Sequence, residues 1–222
     1  MDKVVRAVIS DMDGVIVNSE AEHFLSFQRM LRLDYGIDYT HQNDKEFLGT
    51  TDAYVFTILK QRYPEITEPM DHLIKRRTSL FIDIFKQYAK PLPCVETLFN
   101  YFKKENIPMA LGTSASKYVM NFNLDTLKLR SYFKAVVCAD DVKQGKPAPD
   151  IFLECAKRLE VDPHSILVLE DSQYGVQAAK AAGMRWCIAI PCGPTLKHDM
   201  SQADHTVKSL CDITPELLHS LQ

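Results

Sequence analysis

The sequence predicts an α/β fold, a doubly wound and mostly parallel sheet interrupted by an inserted helical cap. Three observations carry that prediction. Short apolar runs rich in β-branched residues recur along the chain, and amphipathic helical segments lie between most of them. One long stretch near the start keeps helical periodicity with no convincing strand. Alternation of strands and helices puts helices on the faces of a parallel sheet, and a purely helical stretch breaks the pattern as an insert would.

The first run, residues 4–9, ends at Ser10-Asp11 and reads as a buried strand that delivers acidic residues to its carboxyl end, where function gathers in such sheets. Residues 19–89 read as the cap, with Met70, Leu73, Ile74, Phe81, Ile84, Phe85 and Tyr88 at helical spacing. The prolines of Lys90-Pro91-Leu92-Pro93 end any helix there, which leaves residues 1–18 and 90–222 as the core. Val95, Leu98, Phe99 and Phe102 then mark a helix with one apolar face. Further strands follow at Pro108-Met109-Ala110-Leu111, Ala135-Val136-Val137-Cys138, Ile166-Leu167-Val168-Leu169 and Trp186-Cys187-Ile188-Ala189-Ile190. A helix bearing Ile151, Phe152, Cys155, Ala156 and Leu159 lies among them. From Pro191 onward, with Gly193, Pro194 and a last amphipathic helix near residues 215–221, the chain reads as edge packing without chemistry. The core is thus Rossmann-like.

A chain of 222 residues, 46% hydrophobic and 25% charged, suits one globular body or a core with a modest insertion. The net charge of -3 and the lack of a long Lys or Arg run give no electrostatic footprint for nucleic acid or an anionic membrane. A small molecule is the expected partner, and a monomer the expected state. The six cysteines show no CxxC pairing and read as reduced thiols. The opening residues meet charge too soon for a secretory h-region, so the expected setting is cytoplasmic.

Four clusters at strand ends carry the chemistry. Asp11-Met12-Asp13-Gly14-Val15 places two carboxylates one residue apart before a glycine that allows a sharp turn. It lacks the further acidic ligands of a calcium loop. Leu111-Gly112-Thr113-Ser114 offers a hydroxyl pair that could meet a phosphate or simply cap a helix. Gly145-Lys146-Pro147-Ala148-Pro149-Asp150 holds a lysine in a proline-stiffened loop. Leu169-Glu170-Asp171-Ser172 brings two adjacent carboxylates out of another strand, hard oxygen ligands that suit Mg2+. Each cluster alone has a bland reading; the four in this order do not.

These segments, DMDGVIVNSE (11–20), LGTSAS (111–116), GKPAPDIF (145–152) and LEDSQYGVQAAKAAGM (169–184), resemble the haloacid dehalogenase superfamily, in the subgroup with a small helical cap. The resemblance is strongest to sugar-phosphate phosphatases and β-phosphoglucomutases. It implies that Asp11 is the nucleophile and Asp13 the acid/base that serves leaving group and water in turn. It further implies that Lys146 and Mg2+ offset the mutual repulsion of Asp11 and phosphate. The metal would be held by Asp11, the Asp13 carbonyl, Asp171 and Glu170. Thr113, in preference to Ser114, would supply the phosphate-binding hydroxyl, with the amides of Ser114 and Ala115 beside it. The cap would close over the site and select the substrate, with Glu20, His23 and Gly49 as candidate contacts.

Two other functions compete. A hexose-phosphate mutase is suggested by Ala21-Glu22-His23-Phe24 and Gly49, but Asp52 stands about where such mutases place an arginine for the second phosphate. An aspartate would repel that phosphate, so hydrolysis is expected. The run Lys75-Arg76-Arg77 could restore the missing cation, although such a run is more often a solvated helix face. A non-catalytic phosphate-binding protein would be expected to have lost one of Asp11, Asp13, Lys146 or Asp171, and all are present.

Overall fold

The computed structural model describes residues 5–47 and 52–221. Its sheet comprises β1 (Ala7–Ser10), β2 (Met109–Gly112), β3 (Ala135–Val137), β4 (Ile166–Glu170), β5 (Trp186–Ala189) and β6 (His205–Thr206). Their order is β3-β2-β1-β4-β5-β6, and every pairing is parallel. β1, β2, β4 and β5 are buried along their whole length, which is why each reads as a mainly apolar run, with Ser10 and Glu170 as buried polar ends of β1 and β4. The first strand begins at Ala7, later than the sequence suggested. β6 was not foreseen: it has two residues and no apolar run.

The chain divides into two compact units, Met1–Asn18 with Lys90–Gln222, and Ser19–Ala89. The inserted unit contains α1 (Glu20–Tyr35), the single turn α2 (His41–Asp44), α3 (Asp52–Arg62) and α4 (Met70–Tyr88). Gly36 ends α1 in the left-handed conformation, φ 70°, and its N–H closes on Arg32 O, a stop that suits a residue without Cβ. Phe24, Phe27, Leu31, Phe56, Leu59 and Leu73 form part of this unit's own core. On α4, Leu73, Phe81, Ile84 and Phe85 are buried as the spacing predicts, whereas Tyr88 at the helix end is exposed.

The larger unit continues through α5 (Val95–Lys104), α6 (Lys117–Thr126), α7 (Asp150–Leu159), α8 (Gln173–Ala181) and α9 (Pro215–Ser220). The predicted apolar faces of α5 and α7 are fully buried. Ile151, Phe152, Cys155 and Leu159 of α7 pack with Val176 and Ala179 of α8 and with Ile9, Val137, Ile166 and Val168 of the sheet. Burying side chains of this size contributes on the order of 2 kcal/mol each, so the core fixes the strand ends on which the four clusters stand.

The cysteine reading needs one correction. Cys94 and Cys211 form a disulfide across 117 residues of sequence, with their Cα atoms 5.2 Å apart. The fold brings the start of α5 against the turn at Leu210–Asp212, and no local spacing announces a pair so far separated. Cys138, Cys155, Cys187 and Cys192 are free thiols. No helix among the described residues is long and apolar enough to cross a membrane.

Candidate active site

The chain runs from β1 to β2 and β3 on one side, then returns to place β4 on the other side of β1. This reversal puts a topological switch point at the carboxyl ends of β1 and β4, the place where doubly wound sheets bind ligands. Asp11 leaves β1 there, and Glu170 and Asp171 leave β4. Parallel pairing puts Thr113 at the same edge, directly after β2.

Lys146 binds these strand ends together. Its ammonium lies 2.6 Å from Asp11 Oδ1, 2.6 Å from Glu170 Oε1 and 3.0 Å from Gly112 O, so all three of its N–H donors are used. Its side chain is 7% exposed, far from the solvated surface charge that an isolated lysine usually represents. Glu170 is fully buried, and its other oxygen accepts from the N–H and the hydroxyl of Ser172, both at 3.0 Å. Gly175 makes this possible, because a Cβ there would fall about 2 Å from that carboxylate. Gly14, at φ 79°, likewise leaves no room for a side chain: its Cβ would meet Asp171 Oδ2 at 2.2 Å.

Three carboxylates, Asp11, Glu170 and Asp171, each bring an oxygen within 4.8 Å of the others, against the single ammonium of Lys146. Burial pushes the Asp11 carboxyl well above the usual carboxylate range; Lys146 opposes the rise, and Glu170 and Asp171 add to it. Asp171 is raised to about 7, first by burial and then by Glu170. For Lys146, burial disfavours the charge, but Asp11 and Glu170 outweigh it and hold the lysine above its ordinary value. The cluster is therefore a charged lysine in a nest of carboxylates that resist ionising together.

Thr113 is buried, and its hydroxyl accepts from the Ala115 N–H at 3.0 Å. Ser114, one residue on, is exposed. Asp13 is half-buried in the turn after β1, bridged to Val17. The structure thus brings Asp11, Thr113, Lys146, Glu170 and Asp171 to one edge of one sheet, with Asp13, Ser114 and Ala115 in the adjoining turns. Glu20 and His23 belong to α1 of the inserted unit. Gly49 lies outside the described residues.

Sequence reasoning missed two residues. Thr195 donates to Asp171 Oδ2 at 3.1 Å, from the stretch after β5 that was read as edge packing without chemistry. The signal was available: Cys192-Gly193-Pro194-Thr195 follows the carboxyl end of another parallel strand. In the inserted unit, Arg77 is not on a solvated face. It is 6% exposed, pairs with Asp52, and donates to His23 Nδ1 at 2.8 Å. Burial and then the Arg77 charge hold His23 down to about 3.

Fold and strand-end residues together are those of a doubly wound α/β enzyme. The chain belongs to the haloacid dehalogenase-like hydrolases, whose family match spans residues 8–189. It is 34% identical over 180 residues to a phosphorylated carbohydrates phosphatase of Thermotoga maritima, covering 81% of this chain and 82% of the relative. It is 35% identical over 177 residues to a fructose-1-phosphate phosphatase of Escherichia coli, covering 80% and 92%. Among solved structures, a candidate β-phosphoglucomutase from Thermotoga maritima superposes with a TM-score of 0.83 at 32% identity, over 92% of this chain and 94% of the other.

Proposed function

We propose that the protein is a magnesium-dependent phosphatase that releases phosphate from a small phosphorylated sugar through an aspartyl-phosphate on Asp11. As a haloacid dehalogenase-like hydrolase with phosphatases among its relatives, the chain is a phosphoric monoester hydrolase. The observation that carries the finer reading is the contact of Asp11 with Lys146 at the switch point, beside two further carboxylates. A nucleophilic carboxylate must approach an anionic phosphate, and a buried, charged lysine lowers the repulsion where water cannot.

The donor set fits a hard divalent cation, since three clustered carboxylates exceed the charge of one lysine. Asp11 and Asp171, with the Asp13 carbonyl, would hold the ion, and bound there it supplies positive charge against the phosphoryl oxygens. Glu170, committed through both oxygens to Lys146 and Ser172, holds the lysine in place. An Asp11 oxygen forms the new bond to phosphorus as the bond from phosphorus to the sugar oxygen breaks, and Asp13 gives its proton to that leaving oxygen. Water then attacks the phosphorus of the acyl phosphate, Asp13 takes its proton, and phosphate departs with Asp11 restored. Because Thr113 Oγ1 already accepts from Ala115, its own proton is available to a phosphoryl oxygen.

A mutase activity is the second reading, favoured by the likeness to the candidate β-phosphoglucomutase. The case against it no longer rests on repulsion by Asp52, whose charge is met by Arg77. What supports hydrolysis is that the arginines of α4 are already engaged inside their own unit, Arg77 by Asp52 and Arg76 by Asp34 at 2.9 Å. Neither is held ready for a second phosphate. We also keep as proposals a monomeric state and a cytoplasmic setting; the Cys94–Cys211 disulfide weighs against the latter, because a reducing compartment would keep those thiols free.

The test is a pair of measurements with magnesium present. With β-glucose 1-phosphate and a trace of glucose 1,6-bisphosphate, free phosphate should exceed isomer; rapid glucose 6-phosphate formation would replace the phosphatase with the mutase. Asp11→Asn should lower turnover of any phosphorylated substrate by about 10⁴-fold or more with the circular dichroism spectrum unchanged. Retained turnover in that variant excludes the aspartyl-phosphate route.

A further inference from the structure

The turn after β5 touches two of the strand-end clusters at once. Thr195 Oγ1 lies 3.1 Å from Asp171 Oδ2, and Asp171 is 8% exposed. Cys192 Sγ lies 3.4 Å from the carbonyl oxygen of Gly14, in the loop that follows Asp11 and Asp13. The turn is itself closed: the Cys192 N–H donates to Thr195 Oγ1 at 2.9 Å, and Thr195 Oγ1 lies 2.8 Å from Cys192 O.

A threonine hydroxyl has one proton, and two acceptors face it here, the Asp171 carboxylate and the Cys192 carbonyl. When Asp171 is ionised the carboxylate is the stronger acceptor, since a hydrogen bond to a charged oxygen is roughly twice as strong as one to a neutral oxygen. The Cys192 N–H meanwhile donates into the same hydroxyl and fixes its lone pair. The Gly14 backbone also crowds Asp171 Oδ2, where even a Cβ would collide at 2.2 Å. Asp171 is thus packed against the Gly14 backbone and bonded to a hydroxyl, and the segment that supplies the hydroxyl is also bonded to Gly14.

We propose that the Cys192–Thr195 turn braces the metal-binding carboxylates, with Thr195 as a positioning residue that sets Asp171 for a divalent cation and Cys192 tying that brace to Gly14. This rests on the reading of Asp11 and Asp171 as the metal ligands. A carboxylate that had to be oriented anew for each ion would bind it more weakly, and partners of this kind are worth about 10- to 100-fold in metal affinity.

The test reads metal binding directly, by isothermal titration of the chelator-stripped full-length protein with Mg2+, before any turnover is measured. Thr195→Val keeps the shape and removes the hydroxyl; it should weaken Mg2+ binding about tenfold or more. Thr195→Ser keeps the hydroxyl and should bind as the parent does. In turnover, Thr195→Val should recover most of its kcat as Mg2+ is raised, which a general loss of structure would not allow. Parent-like Mg2+ affinity in a folded Thr195→Val overturns the brace while leaving the metal reading intact. Should Thr195→Val fail to fold, Thr195→Ser decides: weakened binding there shows that packing of the methyl group matters and the hydroxyl does not, and overturns the proposal. A parent protein that binds no Mg2+ removes the metal reading and the brace together.

Discussion

Lys146 in the larger unit and Arg77 in the inserted unit are both buried cations paired with carboxylates, yet their surroundings differ in charge. Lys146 faces Asp11 and Glu170, with Asp171 close by, and the negative charge exceeds what it can balance. Arg77 faces one carboxylate, Asp52, and one imidazole, His23, while its guanidinium lies over the rings of Phe27 and Phe81 at 5.1 and 5.6 Å. That set is balanced. An unbalanced buried cluster is costly unless a ligand completes it, so it marks chemistry; a balanced one holds helices together.

The largest effect should separate the two by what is lost. Lys146→Ala is expected to cost about 10²- to 10³-fold in kcat. Arg77→Met should instead cost roughly 3 kcal/mol of stability, the low end for a broken buried pair because Asp52 is a quarter exposed. Arg76→Ala, which breaks an exposed pair, should cost less than about 1 kcal/mol. Turnover and urea unfolding of the three variants check this, and the comparison breaks if Arg77→Met reduces kcat as deeply as Lys146→Ala while leaving stability intact.

A smaller effect concerns pH in chelated protein. Asp171, raised in the folded state to about 7 from 3.8, contributes stability that is complete below its unfolded value and lost as pH rises through 7; Asp11 has the same sign. His23, lowered to about 3 from 6.5, contributes stability that is complete above 6.5 and lost as pH falls toward 3. Each group contributes up to about 1.4 kcal/mol per pH unit inside its window. Moving from pH 7 to pH 5 should therefore slow amide exchange in β1 and β4, relative to intrinsic rates, and speed it in α4 near Arg77 and Phe81. Glu20 and Asp44 are raised by burial and pull the other way, which is why the reading is taken on α4. Equal signs in the two units would remove the contrast.

The smallest effect is a tautomer. Arg77 can only donate, so His23 Nδ1 must accept, and the ring proton of the neutral imidazole belongs on Nε2. Nitrogen NMR of selectively labelled histidine should show the Nε2–H form at neutral pH and a mixture in Arg77→Met. A parent spectrum with Nδ1 protonated contradicts the pairing.

The strands and the four clusters were legible because buried parallel strands read as apolar runs, and because the clusters stand just past the ends of those runs. β6 was not, since two residues at the sheet edge carry no pattern. The disulfide joins segments that only the finished fold brings together. Arg77 was hidden by its neighbours: Lys75-Arg76-Arg77 reads as one charged patch, but successive helical residues point about 100° apart. Arg77 stands four residues from both Leu73 and Phe81, on the buried stripe, and that spacing was the signal. Thr195 was hidden too, in a stretch that reads as edge packing without chemistry.

The Cys94–Cys211 bond closes a covalent ring that includes β2 through β6 and with them Thr113, Lys146, Glu170, Asp171 and Thr195. β1, which ends just before Asp11, stands outside that ring, together with the whole inserted unit. The central strand of the sheet is thus retained between β2 and β4 by hydrogen bonding and packing alone, while its neighbours on both sides are locked in one loop. Cut once in the stretch 90–93, the chain would become two molecules: a linear one carrying Asp11, and a circle carrying the rest of the strand-end cluster, each incomplete until the first slots back into the second.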